Sequence, residues 1–186
     1  MATYLLEYKT AAGKAKREVT YFYDYHPWRN GKNPLFNKNS SEVLDFKKGK
    51  ASAVLYFAVL IDRNFNPDWE NCCCVAVPSS DPQKSATPVH ELIRILVSLR
   101  PGLKNGSNVL VRKYAIKKLA TGGKRSKEIH LNSIKINSGC SVDIAGKDIL
   151  LIDDVITTGN SLLACVDKLK EGGAKRVFLL TIAKTV

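Results

Sequence analysis

Runs of hydrophobic residues alternate with polar stretches most regularly in the C-terminal half of the chain. A strand at 147–152 is followed by a turn, a helix at 160–170, the breaker Gly172-Gly173 and a strand at 176–182. The first strand is almost continuously apolar, which is typical of a parallel strand covered on both faces. This pattern predicts a βαβ unit.

A second unit of the same form lies earlier in the chain. An apolar strand at 72–77 precedes Thr87 and Pro88, which we expect to be the N-cap and the first residue of a helix. A further strand, at 109–112, follows that helix. Parallel strands joined by helices predict a doubly wound α/β sheet, whose ligands lie beyond the carboxyl ends of the strands.

The N-terminal third has a different pattern. Two segments of alternating polarity, 3–8 and 19–25, flank a polar turn and predict a hairpin. We expect a short helix after the hairpin, capped by Ser40 or Ser41. A second, more buried helix is expected at 51–61.

The composition is that of a single domain. The chain has 186 residues, of which 45% are apolar. This is enough for one core and too few for two full-sized domains. We therefore expect one domain over 1–186, with an N-terminal hairpin region at 1–50 and an α/β core at 72–186.

The cysteines indicate a reducing compartment. They number five, and Cys72, Cys73 and Cys74 are consecutive, so neighbouring side chains point to opposite faces of a strand. No Cys or His spacing resembles a zinc site. The sequence has neither a signal-like N-terminus nor an apolar run of membrane-spanning length. We expect a cytoplasmic protein with no membrane partner.

The net charge of +12 predicts an anionic partner. No acidic residue lies between Glu91 and Glu128, and we call the stretch 94–127 the basic segment. It is either a solvated face or a surface that contacts phosphates, including those of a nucleic acid. Its cations are Arg94, Arg100, Lys104, Arg112, Lys113, Lys117, Lys118, Lys124, Arg125 and Lys127.

The strongest chemical motif is ILLIDDVITTGNS, at 149–161. Two carboxylates, Asp153 and Asp154, come where the apolar strand ends. A helix N-terminus, which binds anions through its unpaired N–H groups, follows at once. The phosphate-binding candidates are Thr157, Thr158, Gly159, Asn160 and Ser161. The alternative is a Rossmann-like turn with two chance acidic residues.

At these residues the sequence resembles the type I phosphoribosyltransferases, whose signature for phosphoribosyl pyrophosphate (PRPP) has the same order of residue types. The resemblance implies that Asp153 and Asp154 contact the ribose hydroxyls and that 157–161 holds the 5-phosphate. It implies Mg²⁺ as cofactor, which the two carboxylates would hold indirectly, through ribose or water. The implied fold is a doubly wound, mostly parallel sheet flanked by helices, with a small N-terminal hood.

A wider resemblance, over 72–186, is to the ComF-like and amidophosphoribosyltransferase-like members of this superfamily. It rests on CCCVAVPSSDPQ and on the basic stretch before the PRPP motif. It implies a pyrophosphate loop at 77–81, formed by Pro78, Ser79 and Ser80; an ordinary strand-ending turn is the equal alternative. The zinc-ribbon cysteines of ComF-like proteins are missing, as is the usual basic residue after Val-Pro, unless Lys84 replaces it.

The same resemblance implies a mobile basic loop ahead of the PRPP motif. Its candidate residues are Arg112, Lys113, Lys124 and Arg125, which would neutralise the departing phosphates. As catalytic residues we predict Asp153, Asp154, Lys113 and Arg125.

Two functions from different classes are consistent with the sequence. The first is a phosphoribosyltransferase that acts on a nitrogenous base or a nucleotide-like acceptor, in a metabolic or a defence setting. The second is a non-catalytic sensor of PRPP or a nucleotide that binds DNA or RNA through the basic segment. Thr157 stands where hypoxanthine-type enzymes carry an acidic residue, which argues against purine salvage of that kind. A homodimer is left open.

Overall fold

The computed structural model describes residues 1–10, 13–65, 69–84, 86–116 and 126–186. Its strands are β1 (Ala2–Thr10), β2 (Gly13–Tyr25), β3 (Cys72–Ala76), β4 (Lys104–Asn105), β5 (Leu110–Arg112), β6 (Ile134–Ile136), β7 (Asp148–Ile156) and β8 (Arg176–Thr185). Its helices are α1 (Lys38–Lys47), α2 (Ala51–Asn64), α3 (Pro88–Leu99), α4 (Lys127–Ser133) and α5 (Asn160–Glu171).

Six of the strands form one sheet in the order β1-β2-β8-β7-β3-β4. All neighbours in it are parallel except β1 and β2, which form the predicted hairpin. The second hairpin strand also pairs with β8, from Val19–Leu179 to Tyr25–Thr185. The predicted fold class, a mostly parallel α/β sheet flanked by helices, is confirmed.

Two apolar cores lie on opposite faces of this sheet, and β7 contributes to both. Leu150 and Ile152 belong to the core that contains α1, α2 and α3, whereas Ile149 and Leu151 belong to the core that contains α5. Side chains of a strand alternate between faces, so a strand buried on both faces must be apolar throughout. The three consecutive cysteines of β3 are buried thiols.

Two helix starts can be compared with their predicted caps. Thr87 caps α3 as expected, with Pro88 next, and Nδ1 of His90 accepts the backbone N–H of Thr87 at 3.3 Å. The expected cap of α1 is wrong, because the side chain of Asn37 accepts the N–H of Ser40 at 2.9 Å. The Ser40 hydroxyl instead accepts the N–H of His26 at 3.0 Å and so ties α1 to the end of β2.

The strand expected at 109–112 does not join the main sheet. β5 pairs with β6 in a separate two-stranded antiparallel sheet, and the short β4 takes the place beside β3. Gly106, the residue after β4, packs closely against β3: its N–H donates to the carbonyl of Cys74 at 2.8 Å, and a Cβ there would collide with Sγ of Cys73. Among the described helices, none combines the length and apolar character needed to cross a bilayer.

Phe57 of α2 is the centre of an aromatic cluster, and its removal should destabilise the fold. It is fully buried, with edge-to-face contacts to Phe46 at 5.4 Å and to Tyr23 at 5.8 Å between ring centroids. We expect Phe57→Ala to lower the free energy of unfolding by roughly 3–5 kcal/mol in urea titrations. Leu55→Ala on the same helix, where the side chain is 51% exposed, is the control and should change it by less than about 0.5 kcal/mol. Equal losses in the two variants would contradict this packing.

Candidate functional site

The carboxyl ends of β3 and β7 meet at one edge of the sheet, where a cavity of about 740 Å³ opens. Because the two strands are parallel neighbours, the segments that follow them leave from the same edge. The loop after β3 and the motif at the end of β7 thus face one space. The predicted site residues that line it are Pro78, Ser79, Ser80, Arg112, Asp153, Asp154, Thr157, Thr158, Gly159 and Ser161.

The turn from β7 into α5 requires glycine at its last position. Gly159 is the N-cap of α5 with φ +72°, a left-handed conformation that costs glycine little. A Cβ there would lie 2.5 Å from Cδ2 of Leu6, which packs against the turn from β1. Asn160 begins the helix but does not line the cavity. The first turn of α5 therefore presents its N–H groups at the cavity with the positive end of the helix dipole.

The two carboxylates of the motif lie side by side at the end of β7. Oδ1 of Asp153 accepts the N–H of Asp154 at 2.9 Å, and Oδ1 of Asp154 accepts the N–H of Val155 at 2.6 Å. Burial, and then repulsion from Asp154, raises the pKa of Asp153 to about 7. Near neutral pH the pair therefore holds a proton part of the time and can both donate and accept hydrogen bonds.

A lysine from the N-terminal third forms a salt bridge with this pair of carboxylates. Nζ of Lys47, the last residue of α1, lies 2.8 Å from Oδ2 of Asp154, and Lys47 also lines the cavity. Burial would lower the pKa of Lys47, but the carboxylates of Asp154 and Asp153 outweigh burial and the pKa is raised. Lys47 could not be identified as a site residue from the sequence, because 107 residues separate it from Asp154 and no motif lies near it.

Arg112 was predicted to belong to the mobile basic loop, and the structure corrects this. It ends β5 and is only 7% exposed. Its guanidinium donates to the carbonyl oxygens of Ser79, at 2.9 Å, and Pro78, at 3.2 Å, and to Oγ of Ser133, at 2.6 Å. A side chain held by three partners of this kind is part of the framework of the site.

The other candidates of the basic loop have different outcomes. Lys113 is exposed, does not line the cavity, and is held through its backbone, whose N–H donates to the carbonyl of Ser133 at 2.7 Å. Lys124 and Arg125 lie outside the described residues. His130, which no motif in the sequence marks as a site residue, lines the cavity and is 3% exposed. Lys84, considered as a replacement for the missing basic residue, does line the cavity.

The basic segment is not one uninterrupted cationic face. Arg94 pairs with Glu91, Arg100 pairs with Asp62 from α2, and Lys127 pairs with Asp167 from α5, all at 2.6 Å. Arg112 is buried, and the other three cations have acidic partners that come from outside the basic segment. Binding of a nucleic acid by this segment stays a prediction.

The family model of the phosphoribosyl transferase domain matches residues 82–185, which is more than half of the chain. The chain belongs to this family. The matched residues run from the loop after β3 to the end of β8 and include β7, α5 and the motif at 149–161. β3, the loop at 78–80 and Lys47 lie outside the match.

Individual relatives match much less of the chain. Ribose-phosphate pyrophosphokinase of Pasteurella multocida (strain Pm70) is 56% identical over 36 residues, 19% of this chain and 11% of that protein. The corresponding enzyme of Pyrococcus abyssi is 41% identical over 39 residues, or 21% and 14%. The matched part of the chain thus spans little more than a tenth of the length of these curated relatives.

Solved structures resemble the chain only loosely. Phosphoribosylpyrophosphate synthetase from Mycobacterium smegmatis has a TM-score of 0.40 at 17% identity, covering 72% of this chain and 33% of that one. A hypoxanthine phosphoribosyltransferase from Staphylococcus aureus has a TM-score of 0.39 at 12% identity, covering 77% and 74%. At these scores the similarity carries no information about substrate.

Replacement of Gly159 by alanine should destabilise the protein, because it combines a strained φ with a collision against Leu6. Gly146→Ala is the control, since Gly146 has a similar φ of +69° and nothing within 4 Å of its Cβ position. We expect Gly146→Ala to cost about 1–2 kcal/mol of unfolding free energy and Gly159→Ala clearly more. In a Leu6→Ala background, the unfolding free energies lost by Gly159→Ala and by Gly146→Ala should differ less. Equal costs in thermal and urea unfolding would contradict the contact.

The pKa of Asp153 predicts a specific pH dependence of stability. The unfolded chain loses this proton near pH 4, whereas the folded chain keeps it to about pH 7, so rising pH favours unfolding across this interval. The unfolding free energy of Asp153→Asn minus that of the wild type should therefore increase from about pH 4 to about pH 7 and then level off. In a Lys47→Met background, the same difference in unfolding free energy should go on increasing to a higher pH, because Lys47 lowers the pKa of Asp153. A difference that stays constant with pH would contradict the assignment.

Proposed function

We propose that this protein binds PRPP or a nucleoside 5-phosphate together with Mg²⁺ and transfers the phosphoribosyl group to or from a nitrogenous base or nucleotide-like acceptor. The observation that carries the proposal is that one cavity gathers a helix N-terminus, a carboxylate pair and a loop with open backbone donors. Phosphate, ribose hydroxyls and pyrophosphate require these three kinds of group in one place. The family of the chain supports the same ligand class.

The 5-phosphate is assigned to the turn at 157–161. N–H groups at the start of α5 and the hydroxyls of Thr157, Thr158 and Ser161 supply donors, and the helix dipole favours the negative charge. The glycine at 159 allows the backbone to come close to the phosphate. Thr157 also shares a 3.1 Å hydrogen bond with Thr185 of β8, which orients its hydroxyl.

The ribose is assigned to Asp153 and Asp154. Hydroxyl groups both donate and accept, and a carboxylate pair that shares a proton can match both roles. Lys47 partly balances the negative charge of the pair, so two adjacent acidic residues can lie near an anionic ligand. The charge at the ribose end of the cavity is thus set by three side chains together.

The carboxylate pair suits Mg²⁺ only as an indirect ligand set. Two of the four oxygens accept backbone N–H groups and a third accepts Lys47. Within the described residues, no group of three or more His, Cys, Asp or Glu side chains could hold a metal ion. Carboxylate oxygens fit a hydrated Mg²⁺ that the phosphates of the ligand carry, and Asp153 and Asp154 would hold it through water or ribose. The ion would neutralise charge on the departing pyrophosphate.

In the proposed reaction, a nitrogen of the acceptor forms a bond to C1 of the ribose while the bond from C1 to the pyrophosphate oxygen breaks. The pyrophosphate keeps the electron pair of that bond and departs with it, and a proton carried by the acceptor nitrogen is released to solvent. The described residues contribute mostly by position and charge, because the turn at 157–161 and the pair at 153–154 fix the ribose while the loop at 78–80 holds the leaving group. Lys113, Lys124 and Arg125 stay proposals for cations that approach the leaving group.

The central experiment is calorimetric titration of the full chain with PRPP and MgCl₂, followed by a pyrophosphate-release assay with a panel of bases. Binding is expected, together with release on at least one base. Short DNA and RNA titrations distinguish the regulator alternative, which predicts affinity that falls steeply with salt. PRPP binding without release on any base would favour the sensor, a role that the ComF-like resemblance also allows. No binding of PRPP or any ribonucleotide at millimolar concentration would refute the proposal.

Asp154→Asn should weaken PRPP binding by roughly 10- to 100-fold, because a hydrogen bond to a charged group contributes about 1.5–3 kcal/mol. The wild type should also prefer ribose 5-phosphate to 2-deoxyribose 5-phosphate, and Asp154→Asn should reduce that preference. Calorimetry measures both effects.

The control for this variant is Asp143→Asn, which changes an exposed aspartate in the loop before β7. It should leave both affinities unchanged. If Asp154→Asn weakened the two sugar phosphates equally, Asp154 would not contact the ribose hydroxyls.

A further inference from the structure

Three consecutive carbonyl groups of the loop after β3 accept hydrogen bonds from one segment of the chain. The Arg112 guanidinium holds the carbonyls of Pro78 and Ser79, through Nη2 at 3.2 Å and Nε at 2.9 Å. The N–H of Ile116, four residues further on, donates to the carbonyl of Ser80 at 3.0 Å. The carbonyl side of the loop is therefore bound to β5 and the residues after it.

This arrangement determines where the N–H groups of the loop point. The described peptide bonds are all trans, and in a planar trans peptide the N–H is directed opposite to the preceding carbonyl. Because the carbonyls of Pro78 and Ser79 point to Arg112, the N–H groups of Ser79 and Ser80 point away from it. Within the described part of the chain these two N–H groups have no protein acceptor. They are two adjacent donors that an anion can use.

Hydrogen bonds hold this loop in addition to packing. Pro78 is buried, whereas Ser79 and Ser80 are half-buried. Pro78 and Ser79 line the main cavity, and they also line a second cavity of about 640 Å³. Because residues beside a cavity have fewer packing contacts, the hydrogen bonds from Arg112 and Ile116 add a restraint that packing does not replace.

Arg112 itself has a rigid support. Its Nη1 donates to Oγ of Ser133 at 2.6 Å and lies 3.4 Å from Nδ1 of His130, and both partners are buried in α4. A guanidinium presents its N–H donors in a planar fork, so one side chain can hold two carbonyls on one side and α4 on the other. Lysine, with a single ammonium group on a flexible chain, cannot reproduce this geometry.

From these contacts we infer that Arg112 is a positioning residue: it fixes the loop at 78–80 with its N–H groups directed at the pyrophosphate of the ligand. The inference rests on the proposed function and adds the residue that prepares the pyrophosphate half of the site. Arg112 acts through the backbone of the loop, whereas the ribose and 5-phosphate half depends on β7 and α5. The two halves can therefore be disturbed separately.

The test measures calorimetric affinities of the full chain for three probes, all with MgCl₂: PRPP, inorganic pyrophosphate and ribose 5-phosphate. Arg112→Lys and Arg112→Gln should each weaken PRPP and pyrophosphate by roughly 10- to 100-fold and leave ribose 5-phosphate within about twofold. Ser133→Ala removes only the support in α4 and should cause a smaller loss with the same selectivity. Arg63→Gln, at an exposed arginine of α2, is the control and should change none of the affinities.

The outcomes separate this inference from the proposed function. Failure of the wild type to bind PRPP would refute the proposed function. The inference would fail if the wild type binds PRPP, Arg112→Lys keeps nearly the same affinity, and Arg112→Gln loses affinity. That result would mean that Arg112 acts as a positive charge on the phosphates. Equal losses for ribose 5-phosphate and PRPP would also overturn it. If circular dichroism shows that both Arg112 variants are unfolded, Ser133→Ala decides between the outcomes. A loss of affinity for PRPP and pyrophosphate but not for ribose 5-phosphate would support the inference, and no selective loss would overturn it.

Discussion

Parallel pairing of β3 with β7 is the constraint on which the rest of this structure depends. The central part of each strand is apolar on both faces because helices cover the sheet on both sides, and the carboxylates of Asp153 and Asp154 come near the carboxyl end of β7. The parallel direction brings those ends to the same edge. The loop at 78–80 and the motif at 153–161 therefore share a cavity, although more than 70 residues separate them along the chain.

Charge in this cavity is balanced by contacts between distant segments. Lys47 brings a positive charge from the N-terminal third to Asp154, and Arg112 brings another from β5 to the loop after β3. Both cations are held by oxygen atoms of the protein, so each has a defined position. Such fixed charges orient a polar ligand at a lower reorganisation cost than mobile side chains do.

More of the fold than of the site could be predicted from the sequence. The apolar run of β7, the Thr87-Pro88 helix start and the alternating N-terminal segments each reflect local physics, and each led to the observed element. The expectation that the strand at 109–112 belongs to the main sheet was wrong, because its pairing with β6 is a contact between segments that are distant in the sequence. Lys47 and the structural role of Arg112 were missed for the same reason, since their partners lie on other elements.

The family, the alternation of strands and helices, and the chemical nature of the motif at 149–161 can all be recognised in the sequence. These follow from residue types at short spacing, where backbone geometry links neighbouring positions directly. Three other features emerge only from the folded chain: the cation beside Asp154, the direction of the carbonyls of the 78–80 loop, and the acidic partners of the basic segment. These interactions join residues that packing brings together, and no local pattern encodes their distance.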